Sequence, residues 1–190
     1  MNFRTLLVVA SLAAFSQMAH AQVADVTVGL MQHNIKVTDG KNADKEDGPD
    51  VSLELHFKSP DFLSAIGSPQ PGLVASLNTA GNTSYAGVTL TWDFALADNW
   101  HFEPSLGYII HNGEVSNPFP NGDPRATEFS NKNVLLGSED LFRTALSLTY
   151  DFNESWAGQL TFEHISHGQI LGSGRNQGMD NIGLRAVRRF

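Results

Sequence analysis

From Ala86 to Leu96 the chain reads AGVTLTWDFAL, with Ala86, Val88, Leu90, Trp92, Phe94 and Leu96 at the even positions. Gly87, Thr89, Thr91, Asp93 and Ala95 fill the odd ones. A period of two marks a β-strand with one apolar face. The next segment repeats it, setting Trp100, Phe102, Pro104, Leu106, Tyr108 and Ile110 against His101, Glu103, Ser105 and Gly107. The pattern recurs in Phe142 to Phe152, Val51 to Lys58 and Asp25 to Leu30. With a weaker strand at Leu73 to Asn78, eight strands are predicted, at 23–34, 50–58, 72–78, 84–96, 99–111, 140–152, 155–167 and 179–190. No helical periodicity is read after residue 21. Residues 112–139, carrying Pro118, Pro120 and Pro124, read as a polar loop.

Alternation alone leaves two architectures. A soluble sandwich or lipocalin-like barrel turns its apolar face inward, whereas an outer-membrane barrel turns it to lipid. Three features select the second. The face opposite the apolar one carries Glu, His, Lys, Arg and Asp, as a polar barrel interior does. Aromatic residues gather near strand ends (Trp92, Trp100, Tyr150, Trp156), as an interfacial girdle would. The last strand ends on Phe190, like the C-terminal aromatic signal of bacterial outer-membrane proteins. The expected fold is therefore all-β, an eight-stranded antiparallel transmembrane β-barrel of the outer-membrane type. With both termini periplasmic, outer loops fall at 35–49, 79–83, 112–139 and 168–178.

Composition narrows this further. Mean hydropathy is −0.18, and no segment after residue 21 approaches the ~18 consecutive apolar residues of a membrane helix. Residues 1–21 read as a secretory signal peptide: Arg4 precedes the apolar run Leu6 to Phe15, and Ala19-His20-Ala21 is a cleavage site. Residues 22–190 are then one barrel domain, exported to the cell outer membrane. A net charge of −8 argues against nucleic acid as a partner, and the absence of cysteine excludes a disulfide scaffold. His33, His56, His101 and His111 fall mostly on the interior face without metal-ligand spacing, so no metal or cofactor is expected. The lumen also holds Glu54, Asp93, Glu103, Arg143 and Arg185, which predict ion pairs that plug a narrow barrel.

Candidate chemistry lies in the last hairpin. The even face of the seventh strand runs Leu160, Phe162, His164, Ser166, and that of the eighth runs Asp180, Ile182, Leu184. His164, Ser166 and Asp180 thus continue the lipid-facing side at the outer end. A register pairing His164 with Asp180, Phe162 with Ile182 and Leu160 with Leu184 puts opposed Cβ atoms ~4.5–5.5 Å apart. A serine needs a base, and an oriented imidazole needs a carboxylate, so the three suit nucleophilic ester chemistry. Spacing alone leaves the alternative open that these are strand-end polar residues without a role.

The block FEHISHG…NQGMDNIGLRAVRRF, preceded by NVLLGSEDLFRTALSLTYDF, resembles the lipid A 3-O-deacylases of the PagL family. These are eight-stranded outer-membrane barrels that hydrolyse the ester-linked acyl chain at the 3-position of lipid A. The resemblance is specific over residues 133–190 and architectural before them. It implies His164 as base, Ser166 as nucleophile and Asp180 as the acidic member, four residues after Asn176. Asp180 stands where the founding member has Glu. His167 stands where the family usually has Asn, a residue implied to support the oxyanion. His167 and Gly168 are accordingly the oxyanion candidates. The implied partners are lipid A or lipopolysaccharide in the outer leaflet and the outer membrane itself, with a homodimer left open. The alternative function is a non-catalytic small barrel with a structural or adhesive role through its outer loops.

Overall fold

The alternating segments become nine strands in the computed structural model, which describes residues 22–38, 42 and 45–190. The signal peptide expected at residues 1–21 lies outside the described residues. The strands are β1 (Val23–Gln32), β2 (Pro49–Phe57), β3 (Gln70–Asn78), β4 (Tyr85–Thr91), β5 (Phe94–Ala97), β6 (Trp100–His111), β7 (Asp140–Asn153), β8 (Trp156–Ser166) and β9 (Met179–Arg189). All pairings are antiparallel. β1 pairs with both β2 and β9, and β4 pairs with β6, so the sheet closes on itself.

β4 and β5 are one stave of an eight-stave barrel. Thr91 faces Ser105 and Phe94 faces Phe102, so the register with β6 does not change across the gap. The break falls opposite Pro104, which has no N–H to return to the ladder. Trp92 still donates its backbone N–H to the Pro104 carbonyl at 2.9 Å.

The apolar face turns outward. Leu30, Leu77, Leu106 and Leu184 are exposed, the last by 71%. Thr27, Ser52, Ser76, Thr89, Ser147 and Thr161 are buried on the opposite face. A barrel in water would reverse this arrangement; lipid is the solvent that fits it. At the end bearing the termini, Trp100 and Tyr150 approach to 4.9 Å between ring centroids and Tyr150 and Phe152 to 5.7 Å. The Arg188 guanidinium lies 5.4 Å over both Trp156 and Phe190, which keeps its charge at the interfacial belt.

Charge fills the waist. Arg143 bonds Glu54 at 2.6 Å and Glu163 at 2.7 Å, and Arg185 also binds Glu54. The Tyr85 hydroxyl and the Asn181 amide complete Glu163. Of the lumenal ion pairs expected, those among Glu54, Arg143 and Arg185 form. Asp93 instead takes His101 at 2.7 Å, and Glu103 accepts from Thr149 and Gln159.

Above this layer an apolar cluster forms in the interior. Val134 and Leu136, from the segment entering β7, pack with Tyr85, Ile109, Leu141, Ile165 and Met179. The 112–139 excursion is therefore not simply a polar loop. It also contains a helix, α1 (Pro124–Lys132), and a 3-10 turn spans Asp61–Ile66. Both depart from the expectation of no helix. Periodicity fails here because neither element buries a residue. What starts α1 is its cap: Asp123 accepts the Arg125 N–H at 2.9 Å, with Pro124 at the first helical position.

Candidate active site

The predicted register of the last hairpin is the observed one. His164 faces Asp180, Phe162 faces Ile182 and Leu160 faces Leu184. At the first of these pairs, His164 Nδ1 lies 2.7 Å from Asp180 Oδ1. An aspartate bridges this gap directly, since residues opposed across a ladder already bring their Cβ atoms close.

Their surroundings are not simply lipid-facing. The His164 side chain is 31% exposed, whereas that of Asp180 is 2% exposed. What covers Asp180 is the segment that follows β1. Ile35 donates its N–H to the Asp180 carbonyl at 2.7 Å. Thr38 donates its N–H to Asp180 Oδ2 at 2.5 Å and its hydroxyl to Oδ1 at 2.9 Å. The same hydroxyl oxygen is 3.1 Å from His164 Nδ1. With the carboxylate accepting, Nδ1 carries the proton and Nε2 presents a lone pair.

On the other side of the ring lies Gly178. A Cβ there would sit 2.5 Å from His164 Cε1 and 3.0 Å from Nε2, so only glycine lets the backbone approach this close. Its carbonyl is held by the Asn42 amide at 2.7 Å.

Ser166, two residues beyond His164 in β8, shares its outward face and is half-buried. His164 is hydrogen-bonded to Asp180 and Thr38 but not to Ser166. Side chains at i and i+2 start ~6.6–6.8 Å apart along a strand. Contacts of this type commonly tighten only around a bound substrate.

His167 turns inward and is fully buried. Its Nδ1 accepts the Gln169 N–H at 3.1 Å, and its Nε2 meets the Arg175 carbonyl at 3.0 Å. Both ring nitrogens are thus committed to the 167–178 loop, and the imidazole is no oxyanion donor. Its backbone N–H donates to Asn176 Oδ1 at 3.3 Å. Gly168, the other oxyanion candidate, takes a left-handed φ of 60°. Beneath the loop, Gly137 gives the close passage that His167 and the Arg175 carbonyl require. Gln177 ties the loop to the buried 134–136 run, accepting the Leu135 N–H at 2.7 Å. Among the described residues, no group of three or more His, Asp and Glu could hold a metal.

The sequence model of the lipid A 3-O-deacylase (PagL) family matches residues 47–189, three quarters of the chain. The chain belongs to this family.

The match includes His164, Ser166 and Asp180, but Thr38 lies before it. A solved structure described as that of the outer membrane enzyme PagL agrees in fold, with 14% identity and a TM-score of 0.58. It covers 88% of this chain and 100% of its own. The Yersinia pestis outer membrane protein Ail is also similar, at 12% identity and a TM-score of 0.49, covering 88% of this chain and 99% of its own. No curated protein matches by sequence. PagL membership and the outward apolar face place this barrel in the outer membrane. Thr38 and Gly178 escaped the sequence reading. Gly178 was legible as the glycine of NQGMD, two residues before Asp180; nothing local marks Thr38, 126 residues from His164.

Proposed function

We propose that this PagL-family barrel removes the 3-O-linked acyl chain of lipid A by serine esterase chemistry, with Ser166, His164 and Asp180 as its triad. The observation that carries the reading is the 2.7 Å His164–Asp180 bond beside Ser166 on the outward rim, within the family-matched region. Such a site meets a lipid that arrives laterally in the outer leaflet.

Ser166 Oγ attacks the ester carbonyl as its proton passes to His164 Nε2. Asp180 holds the opposite edge of the ring and stabilises the imidazolium that forms. The charge developing on the carbonyl oxygen requires donors set beside Ser166. The Gly168 N–H, two residues beyond Ser166 at a left-handed turn, serves this role, since the His167 ring is committed to the loop. The protonated imidazole then returns its proton to the sugar oxygen, which departs as the free 3-hydroxyl. A water molecule, deprotonated by His164, hydrolyses the acyl-serine and releases the fatty acid. No observation favours the alternative of a non-catalytic, adhesive barrel.

The test is release of 3-hydroxy fatty acid from purified lipid A by the detergent-solubilised protein. Wild type should release it and Ser166→Ala should not. Equal release by both proteins would remove Ser166 from the mechanism.

A further inference from the structure

We propose that Thr38 is the residue that orients the triad's carboxylate and base, so that the loop after β1 sets the reactivity of Ser166. This rests on the reading of Ser166, His164 and Asp180 given above.

An aspartate side chain has little preference of its own about its last torsion, because rotation about an sp³–sp² bond is broad. Holding Oδ1 toward an imidazole therefore requires donors on the remaining lone pairs. Asp180 is also almost wholly buried, and a buried carboxylate is costly unless it is hydrogen-bonded. Thr38 meets both demands. Its backbone N–H takes Oδ2 and its hydroxyl takes Oδ1, leaving Oδ1 aimed at His164 Nδ1. The hydroxyl oxygen also lies within reach of the Nδ1 proton. It therefore accepts from the ring while donating to the acid, fixing the tautomer that leaves Nε2 free for Ser166.

The segment carrying Thr38 is itself tied to β9. Asn34 donates its N–H to Asn181 Oδ1 at 2.9 Å, and Ile35 donates to the Asp180 carbonyl. Asn34 also holds the carbonyls of Asn42 and Lys45 at 2.7 and 2.6 Å. Thr38 thus reaches Asp180 from a braced turn. The arrangement also explains how aspartate, one methylene shorter than glutamate, suffices here: the strand register brings it close and Thr38 fixes its plane.

The experiment uses the full chain in detergent micelles and a fluorophosphonate probe, which reacts only with an activated serine. Wild type should label at Ser166, and Thr38→Ser should label at a similar rate. Thr38→Val keeps the shape but loses the hydroxyl, and should label about tenfold more slowly, the effect of losing one such hydrogen bond. On lipid A the same variant should lower kcat with KM nearly unchanged. Barrel assembly, read by heat-modifiable migration in gels, should not change; Thr38→Ala gives the same comparison if the valine variant assembles poorly. Wild-type labelling rates in Thr38→Val and Thr38→Ala would overturn the proposal. So would failure of Thr38→Ser to restore the rate, or an effect confined to KM. A wild-type protein that does not label at Ser166 would overturn the reading of the triad instead.

Discussion

Two carboxylates show how differently one barrel uses the same group. Glu54 sits at the waist, enclosed by Arg143, Arg185 and His56, and Arg143 also reaches Glu163. Asp180 sits at the rim, where one imidazole and one threonine hold it and a third of the imidazole is open. At the waist each carboxylate meets at least one guanidinium, and all four side chains are buried in the barrel interior. The rim leaves one imidazole edge uncommitted. Closure yields a plug, and incompleteness yields a reactive group.

The sharpest way to break this comparison is to disable each carboxylate system separately. Asp180→Asn keeps the shape but loses the charge that favours the working tautomer, and kcat should fall by ~10³–10⁴. The amide NH2 replaces one acceptor oxygen, so unfolding in urea should shift by about 1–2 kcal/mol, less than at the waist. At the waist the expectation reverses. Arg143→Leu takes one of two guanidinium partners from Glu54 and leaves Glu163 with only neutral donors, Tyr85 and Asn181, among the described residues; it should cost about 3 kcal/mol of stability, while each folded molecule keeps activity within a few-fold. Urea titration with kinetics on both variants reads the contrast; a waist variant that unfolds normally but loses all turnover would erase it.

A smaller effect concerns the braces of the outer loop. His33, just beyond β1, is buried between Asp50 at 2.9 Å and Glu46 at 3.4 Å. Burial opposes its charge, but hydrogen bonds and charge from these two carboxylates outweigh that and raise its pKa to about 9. The folded value lies above the ordinary 6.5. Its contribution is therefore complete below pH 6.5 and lost as the pH rises through about 9. Amide exchange in the 45–50 segment, corrected for intrinsic rates, should speed up across that window relative to β7. In His33→Gln the correction should leave no pH dependence.

Much of the barrel was legible because lipid outside and polar residues inside impose alternation on every stave. The same periodicity placed His164, Ser166 and Asp180 on one face and gave the His164–Asp180 register. What escaped lies where periodicity carries no information. α1 buries nothing, so its only signal was Asp123-Pro124 at the cap. Val134 and Leu136 were hidden because an apolar plug within a loop has no alternating partner. His167 has the opposite parity to Ser166 and indeed points inward, but its bonds to Gln169 and Arg175 depend on the loop's path. Thr38 depends on how a loop folds over a distant hairpin, which no local pattern encodes.

The most direct test of the account is mass spectrometry of lipid A from Gram-negative cells expressing wild type or Ser166→Ala at equal outer-membrane levels. The account predicts a species lighter by one 3-linked hydroxyacyl chain in wild-type cells alone. Identical spectra from the two strains, both intact or both deacylated, would contradict it.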